Sequence, residues 1–223
     1  MPRSIASVCA LLLLAGAAPA DAHAVPDFKA TAHMVAIVSV LGDEIDSGEG
    51  PIAVADGGFD ALAEDAMAHQ IAADLPGATT IRIDAPRADL HTQMYPRAGF
   101  GDLGMKNVRA ALRPWAAAHP ADYIVIFRKT PGTLEGHYGT WTDKIGWFGI
   151  SMTAGHPVAF LNVTVCDGRT LEVVSEMSAR DVDWGSRPYH PFGKNPDDLA
   201  ALTADVQAML GSMAPALVHG AGL

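Results

Sequence analysis

Side chains able to carry chemistry concentrate in three stretches of this sequence, residues 43–57, 85–101 and 130–144. Carboxylates and imidazoles exchange protons or ligate metal ions, whereas guanidinium and aromatic groups hold a partner or a small ligand. Which chemistry is available depends on how closely the fold brings the three stretches together. The candidate site residues are Asp43, Glu44, Asp46, Arg87, His91, Tyr95, Arg97, His137, Tyr138 and Trp141.

One interpretation of these residues is a hydrolase or a metal-dependent enzyme that uses loops 43–57 and 130–144. In that interpretation Asp43 and His137 act as acid and base, or as metal ligands. Such an enzyme requires a carboxylate of the first loop within hydrogen-bond or ligand reach of His91 or His137, inside a concave pocket. Side chains that diverge on a convex surface would contradict it.

Catalytic and cofactor-binding motifs are missing from the sequence. The stretch Gly42-Asp43-Glu44 resembles the Gly-Asp-Ser opening of SGNH hydrolases, but Glu44 stands where the serine nucleophile is needed. The sequence also contains no glycine-rich phosphate loop, no Cys-x-x-Cys and no His-x-x-x-His. We therefore predict no catalytic residue, no cofactor and no metal ion.

Charge and the N-terminal residues indicate where the protein acts. The formal net charge of −10 argues against nucleic acid and anionic membrane surfaces as partners. Arg3, an apolar run over residues 9–15 and a small-x-small sequence ending at Ala22 are typical of a cleaved signal peptide. The run is too short for stable membrane insertion. We expect a signal peptide over residues 1–22 and a single domain over residues 23–223, in the periplasm or secreted.

Hydrophobic periodicity predicts a mixed α/β domain in the order β-α-β-α-β-β-β-α. Near-continuous apolar runs are typical of strands covered on both faces, and apolar residues at helical spacing form one buried stripe. Right-handed crossovers make the first three strands parallel, and the last three form an antiparallel meander. We therefore predict a single mixed sheet of about six strands with three helices packed on it. The predicted strands are 33–41, 79–84, 122–129 and 145–153 with a hairpin over 157–179, and the predicted helices are 58–75, 102–119 and one that begins at Asn195.

The most specific structural signal is the hairpin, in which two apolar runs flank Asp167 and Gly168. Asp-Gly between such runs is a strong turn signal. A two-residue loop would mix apolar and polar side chains on both faces. We therefore predict a three-residue loop over residues 166–168, with the glycine in the left-handed conformation. This register pairs Val163 with Leu171 and separates an apolar face from a wetter one.

The element order resembles that of the TolB N-terminal, CsgG and LpoB domains, which are α/β modules of periplasmic accessory proteins. The run VAFLNVTVCDGRTLEVV, the helix that follows it and the ending at residues 213–223 are similar to a group of uncharacterised exported proteobacterial proteins. The first resemblance implies an accessory role in the cell envelope, and the second implies a bacterial source. Neither resemblance transfers a functional residue to this chain.

The hypothesis that these observations favour is an exported domain without catalytic activity, which binds another envelope protein or assembles with itself. A related interpretation is a subunit that adds an edge strand to a partner's sheet. That interpretation predicts an uncovered edge strand without charged side chains to protect it.

Overall fold

The fold is built around one strand, Met34–Ser39 (β1), whose neighbours lie on both of its edges and on both of its faces. The computed structural model describes residues 26–46, 51–53, 58–95, 102–130, 132–133, 140–141, 145–149, 154–181, 190–191 and 195–223. The other strands are β2 Glu44–Asp46, β3 Pro51–Ala53, β4 Thr79–Arg82, β5 Tyr123–Lys129, β6 Gly132–Thr133, β7 Thr140–Trp141, β8 Ile145–Gly149, β9 Ala154–Asp167, β10 Val173–Asp181 and β11 His190–Pro191. The helices are α1 Phe28–Thr31, α2 Phe59–Asp74, α3 Arg87–Met94, α4 Asp102–Ala118 and α5 Pro196–Gly220.

The sheet is mixed, as the sequence predicts. Its strand order is β3-β2-β8-β9-β5-β1-β4, and β10 and β11 also pair with β9. β1 is parallel to β4 on one side and to β5 on the other. β9 is antiparallel to β5, β8 and β10. The three predicted parallel strands and the antiparallel meander are therefore confirmed.

The described residues contain more elements than the predicted six strands and three helices. The additional elements are short: α1 precedes β1; β2 and β3 lie inside loop 43–57; α3 lies inside residues 85–101; β6 and β7 lie inside loop 130–144; and β11 follows β10. Strands of two or three residues are too short to show a periodicity. β2 joins the main sheet by pairing with β3 and β8, whereas β6 and β7 pair with each other in a separate two-stranded sheet.

Side chains of β1 alternate between two separate cores. Val35 and Ile37 pack on one face with the apolar stripes of α2 and α5. Ala36 and Val38 pack on the opposite face with α3 and α4. Burial on both faces explains why the strand is a near-continuous apolar run.

The last helix, α5, begins where the sequence predicts. The side chain of Asn195 accepts the N–H of Asp197 at 3.1 Å, and Pro196 takes the first helical position. By length and composition, α5 is the one helix among the described residues that could cross a membrane. Its apolar stripe, which includes Leu202 and Leu217, instead packs in the core on α2 and the sheet.

Pro114 does not end the second long helix. The sequence predicts a kink or a restart there, because proline removes a hydrogen bond of the helix. α4 nevertheless continues through Pro114 to Ala118. Pro114 is exposed, as is Ala110 one turn before it, so water can satisfy the carbonyl group that the proline leaves without a donor.

The hairpin between β9 and β10 departs from the predicted register. Val163 pairs with Met177, not with Leu171, so the predicted three-residue loop is wrong. The face predicted to be wetter is also buried, because Asn162 and Thr164 are each 1% exposed. The side chains of both residues donate hydrogen bonds to Glu176 on the neighbouring strand.

A longer turn forms because the side chain of Asp167 binds backbone groups of the turn. The Asp167 carboxylate accepts the backbone N–H groups of Arg169 at 2.9 Å and Thr170 at 2.8 Å. The residue in the left-handed conformation is Leu171, with φ of 60°, and its side chain is 3% exposed. Gly168 is not among the residues with positive φ. Burial of Leu171 beneath α4 therefore outweighs the local preference of Asp-Gly for a short turn.

Candidate functional site

A cavity of about 500 Å³ opens at the carboxyl end of β1. The helix between β1 and β4 packs on one face of the sheet, whereas the helices between β4 and β5 pack on the other. This arrangement is a topological switch point, where open α/β sheets bind ligands. The cavity is lined by Gly42, Asp43, Glu44, Gly58, Asp60, Ala61, Glu64, Arg82, Arg87, Ala88, His91 and Thr92.

An ion pair between α2 and α3 occupies part of this lining. Glu64 is fully buried, and its two oxygens accept hydrogen bonds from Arg87, with Nη2 at 2.7 Å from Oε2. Glu64 also accepts the N–H of Ser39, the last residue of β1, at 2.8 Å. The hydrogen bond with Glu64 outweighs burial and raises the pKa of Arg87 above its usual value. The pair therefore joins α2, α3 and β1.

Two aspartates bind the backbone around the loop that follows β1. Asp60 accepts the N–H of Leu41 at 2.8 Å and that of Gly42 at 3.3 Å. Burial nevertheless raises the pKa of Asp60 above its usual value, because it outweighs these hydrogen bonds. Asp43 accepts the N–H of Phe59 at 3.1 Å and so caps the first turn of α2.

His91 lies against the backbone at the end of β1. Gly42 has φ of 70°, and a Cβ at that position would lie 2.8 Å from the His91 ring. The ring centroids of His91 and Tyr95 are 4.9 Å apart, and the Tyr95 hydroxyl accepts the N–H of Lys129 at 2.6 Å. Burial, followed by the charge of Lys129, lowers the pKa of His91 below its usual value. Both effects favour the neutral imidazole.

The structure brings four of the predicted site residues together in this cavity, Asp43, Glu44, Arg87 and His91. Tyr95 contacts His91 from the end of α3. The other five predicted residues cannot be placed in the site. The structure describes only the backbone of Asp46 in β2 and Trp141 in β7, and Arg97, His137 and Tyr138 lie outside the described residues.

Sequence reasoning missed three charged residues of the lining, Asp60, Glu64 and Arg82. The sequence of α2 could have indicated Glu64, because this residue falls on the stripe of buried positions that includes Ala63 and Met67. A carboxylate at a core position requires a partner. The sequence does not identify that partner, since Arg87 lies on a different helix.

The chemical capacity of the cavity is limited by these contacts. Within the described residues, neither Asp43 nor Glu44 forms a hydrogen bond with His91, and no group of three or more His, Cys, Asp or Glu side chains could hold a metal ion. Burial raises the pKa of the Cys166 thiol to about 12, so this cysteine is not a thiolate nucleophile. The enzyme interpretation stays a prediction for the parts of loops 43–57 and 130–144 outside the described residues.

Comparisons with known proteins give only distant similarities. No protein-family model matches the chain, and no curated protein matches it. Among solved structures, the chain is similar to the PelC dodecamer from Paraburkholderia phytofirmans, with 14% identity, a TM-score of 0.37, and coverage of 85% of this chain and 90% of that chain. It is also similar to a DUF330 protein from Xanthomonas campestris, with 11% identity, a TM-score of 0.38, and coverage of 90% and 86%.

A third similar structure is a lipoprotein from Neisseria meningitidis, with 12% identity, a TM-score of 0.32, and coverage of 81% of this chain and 99% of that chain. Identities and TM-scores of this size assign neither a family nor a function to the chain. The resemblance to TolB N-terminal, CsgG and LpoB domains stays a prediction.

The raised pKa of Asp60 predicts a specific pH dependence of stability. A carboxyl whose pKa is higher in the folded state stabilises the fold when it is protonated. Its contribution is therefore complete below the ordinary aspartate pKa of 3.8 and is lost as pH rises through the folded pKa. Asp60→Asn removes this contribution while its amide oxygen can still accept the N–H of Leu41. We expect the variant to gain stability relative to the wild type as pH rises from about 4 to 7.

Urea unfolding at a series of pH values measures this difference. Asp65→Asn is the matched control, because Asp65 is an exposed carboxylate on the same helix. The difference between Asp60→Asn and the wild type should increase with pH more steeply than the difference for the control. Parallel curves for the two variants would show that Asp60 has no raised pKa.

Proposed function

We propose that this chain is an exported binding domain without catalytic activity, and that it associates with a second copy of itself through the open edge of β10. Export is supported by the signal-peptide pattern of residues 1–22. The absence of catalytic activity is supported by the cavity, where Glu64 and Arg87 are bound to each other and Asp43 caps a helix. The observation that carries the self-association is the edge strand.

Along its length β10 pairs with β9, and within the described residues no other strand pairs with it. Its outer backbone groups are therefore available to another strand. The two exposed large apolar side chains of the described residues both belong to this strand, Val173 at 42% and Met177 at 39% exposed. Helix α5 supports β10 on one face, where the Ser175 hydroxyl donates to the carbonyl of Ala221 at 2.8 Å.

Charged side chains, which protect edge strands from association, are few along most of β10. Glu176 is the single charged residue between Val173 and Ala179, and Arg180 and Asp181 follow at the end of the strand. The Glu176 carboxylate accepts hydrogen bonds from Arg128 at 2.7 Å and from Asn162 at 2.9 Å, both within its own sheet. The charge of Glu176 is thus balanced within its own sheet, whereas sheets that avoid association carry unpaired charges on the edge.

A second copy of the chain fits this edge because an antiparallel strand is complementary to itself under two-fold symmetry. Pairing of the two β10 strands would join the sheets of the two copies into one continuous sheet. The formal net charge of −10 opposes contact between most surfaces of two copies. At β10 that repulsion is reduced, since Arg128 balances Glu176.

Sedimentation equilibrium of the protein isolated after export tests the proposal. We expect the wild type to form dimers, and we expect Met177→Lys or Val173→Lys to raise the dimer dissociation constant roughly tenfold or more. Ala201→Lys is the matched control, because it adds the same charge at an exposed position of α5. Circular dichroism establishes that each variant is folded.

Two results would contradict the proposal. One is a wild type that remains monomeric up to about 100 μM. The other is a dimer that Met177→Lys, Val173→Lys and Ala201→Lys weaken equally, because the contact then lies elsewhere or depends on net charge alone. A monomeric wild type that captures another envelope protein through β10 would replace self-association with binding of a different partner.

A further inference from the structure

One methionine of the described residues differs from the others in its exposure. Met177, in the middle of β10, is 39% exposed. Met34 at the start of β1 is half-buried, and the remaining described methionines are buried: Met67, Met94, Met105, Met209 and Met213. A thioether in contact with water can be oxidised, whereas one packed in a core is protected. Met177 is therefore the methionine of the described residues that an oxidant reaches most easily.

The cysteine of the described residues does not compete for an oxidant. Cys166 lies in β9 and is completely buried. Burial raises the pKa of its thiol, whereas the thiolate is the form that oxidants attack. A soluble oxidant thus reaches the thioether of Met177 before the thiol of Cys166.

The side chain of Met177 lies where β10 meets the end of α5. A Cβ at Gly220, the last residue of α5, would lie 3.1 Å from Cγ, 3.2 Å from Cε and 3.5 Å from Sδ of Met177. Because Gly220 has no side chain, the thioether can lie directly on this end of the helix. The sulfur therefore lies beside α5 on the open edge, which is the surface proposed above for self-association.

We propose that Met177 is a site of reversible oxidation and that its sulfoxide dissociates the dimer, an inference that rests on the proposed self-association. A peroxide transfers one oxygen atom to Sδ of Met177. The thioether loses two electrons and becomes a sulfoxide, and hydrogen peroxide is reduced to water. A methionine sulfoxide reductase reverses the step with a dithiol, which is oxidised to a disulfide while the oxygen leaves as water.

The sulfoxide opposes self-association because it places a polar group in an apolar contact. Its oxygen accepts hydrogen bonds from water, and burial of that oxygen without a donor costs free energy. Under two-fold symmetry each copy contributes its own Met177, so an oxidised dimer would bury two sulfoxides. Conversely, the dimer covers the thioether and protects it. Oxidation and self-association therefore oppose each other.

Peptide mapping by mass spectrometry after brief treatment with hydrogen peroxide tests the modification. In dilute protein we expect Met177 to be oxidised roughly tenfold faster than the buried Met67 and Met209. The rate at Met177 should fall as the protein concentration rises through the dimer dissociation constant. The modification is overturned if Met177 is oxidised no faster than the two buried methionines.

Sedimentation equilibrium before and after oxidation tests the effect on the dimer. We expect oxidation of the wild type to raise the dimer dissociation constant roughly tenfold or more, and the reductase to restore it. Met177→Leu is the matched variant, because it keeps an apolar side chain without a thioether, and its dimer should not respond to peroxide. Met34→Leu is the control, and its dimer should respond as the wild type does. Circular dichroism establishes that each sample is folded.

The effect on the dimer is overturned if oxidised Met177 leaves the dissociation constant unchanged. It is also overturned if peroxide weakens the dimer of Met177→Leu as much as that of the wild type, because the relevant oxidation then lies elsewhere. A wild type that is monomeric before oxidation contradicts the proposed self-association and this effect with it. The peptide map is independent of that outcome and still decides whether Met177 is the oxidation site.

Discussion

Arg87→Met is expected to lower the free energy of unfolding by about 3–5 kcal/mol, as for other buried ion pairs that lose one partner. The substitution leaves the carboxylate of Glu64 fully buried, with the N–H of Ser39 as its remaining donor. It also removes the ion pair that joins α3 to α2. Urea unfolding followed by circular dichroism measures the change.

Glu64→Gln should cost less than Arg87→Met, about 1–3 kcal/mol. A glutamine can still accept the N–H of Ser39, and the Arg87 side chain is 35% exposed, so its charge can reach water. The double variant should be more stable than Arg87→Met alone, because no buried carboxylate remains. This order of stabilities distinguishes a buried pair from two independent contacts.

Arg82→Met is the matched control for Arg87→Met. Arg82 pairs with Asp65 on the surface, with side chains 47% and 67% exposed, and such pairs contribute about 0–1 kcal/mol. Equal losses of stability in Arg82→Met and Arg87→Met would contradict the special position of the Glu64 pair.

Gly168→Ala is the second substitution with a large expected effect, a loss of about 2–4 kcal/mol. A Cβ at this position would overlap the backbone carbonyl of Ala121. Because the obstacle is backbone, the turn must move away, and the hydrogen bond from Gly168 to the carbonyl of Asp122 is then lost. Thermal and urea unfolding measure the effect.

Gly211→Ala provides the opposite result with the same chemical change. Gly211 lies inside α5, and apart from its two chain neighbours and the nearby backbone of its own helix, nothing in the described residues lies within 4 Å of where its Cβ would be. Alanine is favoured over glycine inside a helix, so this variant should gain about 0.5–1 kcal/mol. If Gly168→Ala caused no loss of stability either, that result would contradict the close approach of the hairpin turn to the residues just before β5.

Much of the fold was predictable from local patterns. β1 was identified because burial on both faces requires an unbroken apolar run. The start of α5 was identified because Asn195 and Pro196 have the residue types that begin helices. The parallel arrangement of β1, β4 and β5 followed from the handedness of crossovers.

The hairpin register was not predictable from the same reasoning. Asp-Gly favours a short turn, and alternation favours the register that separates apolar from polar side chains. The structure instead buries Leu171 beneath α4, and hydrogen bonds with Glu176 stabilise the buried Asn162. Both effects depend on elements distant in the sequence.

The candidate site divides in the same way. The sequence alone determined that Asp43, Glu44, Arg87 and His91 follow parallel strands, because strand ends and loop composition are local properties. Only the tertiary structure decided that Glu64 pairs with Arg87 and that β10 is an edge strand among the described residues. Both features depend on how separate elements pack, which local patterns do not encode.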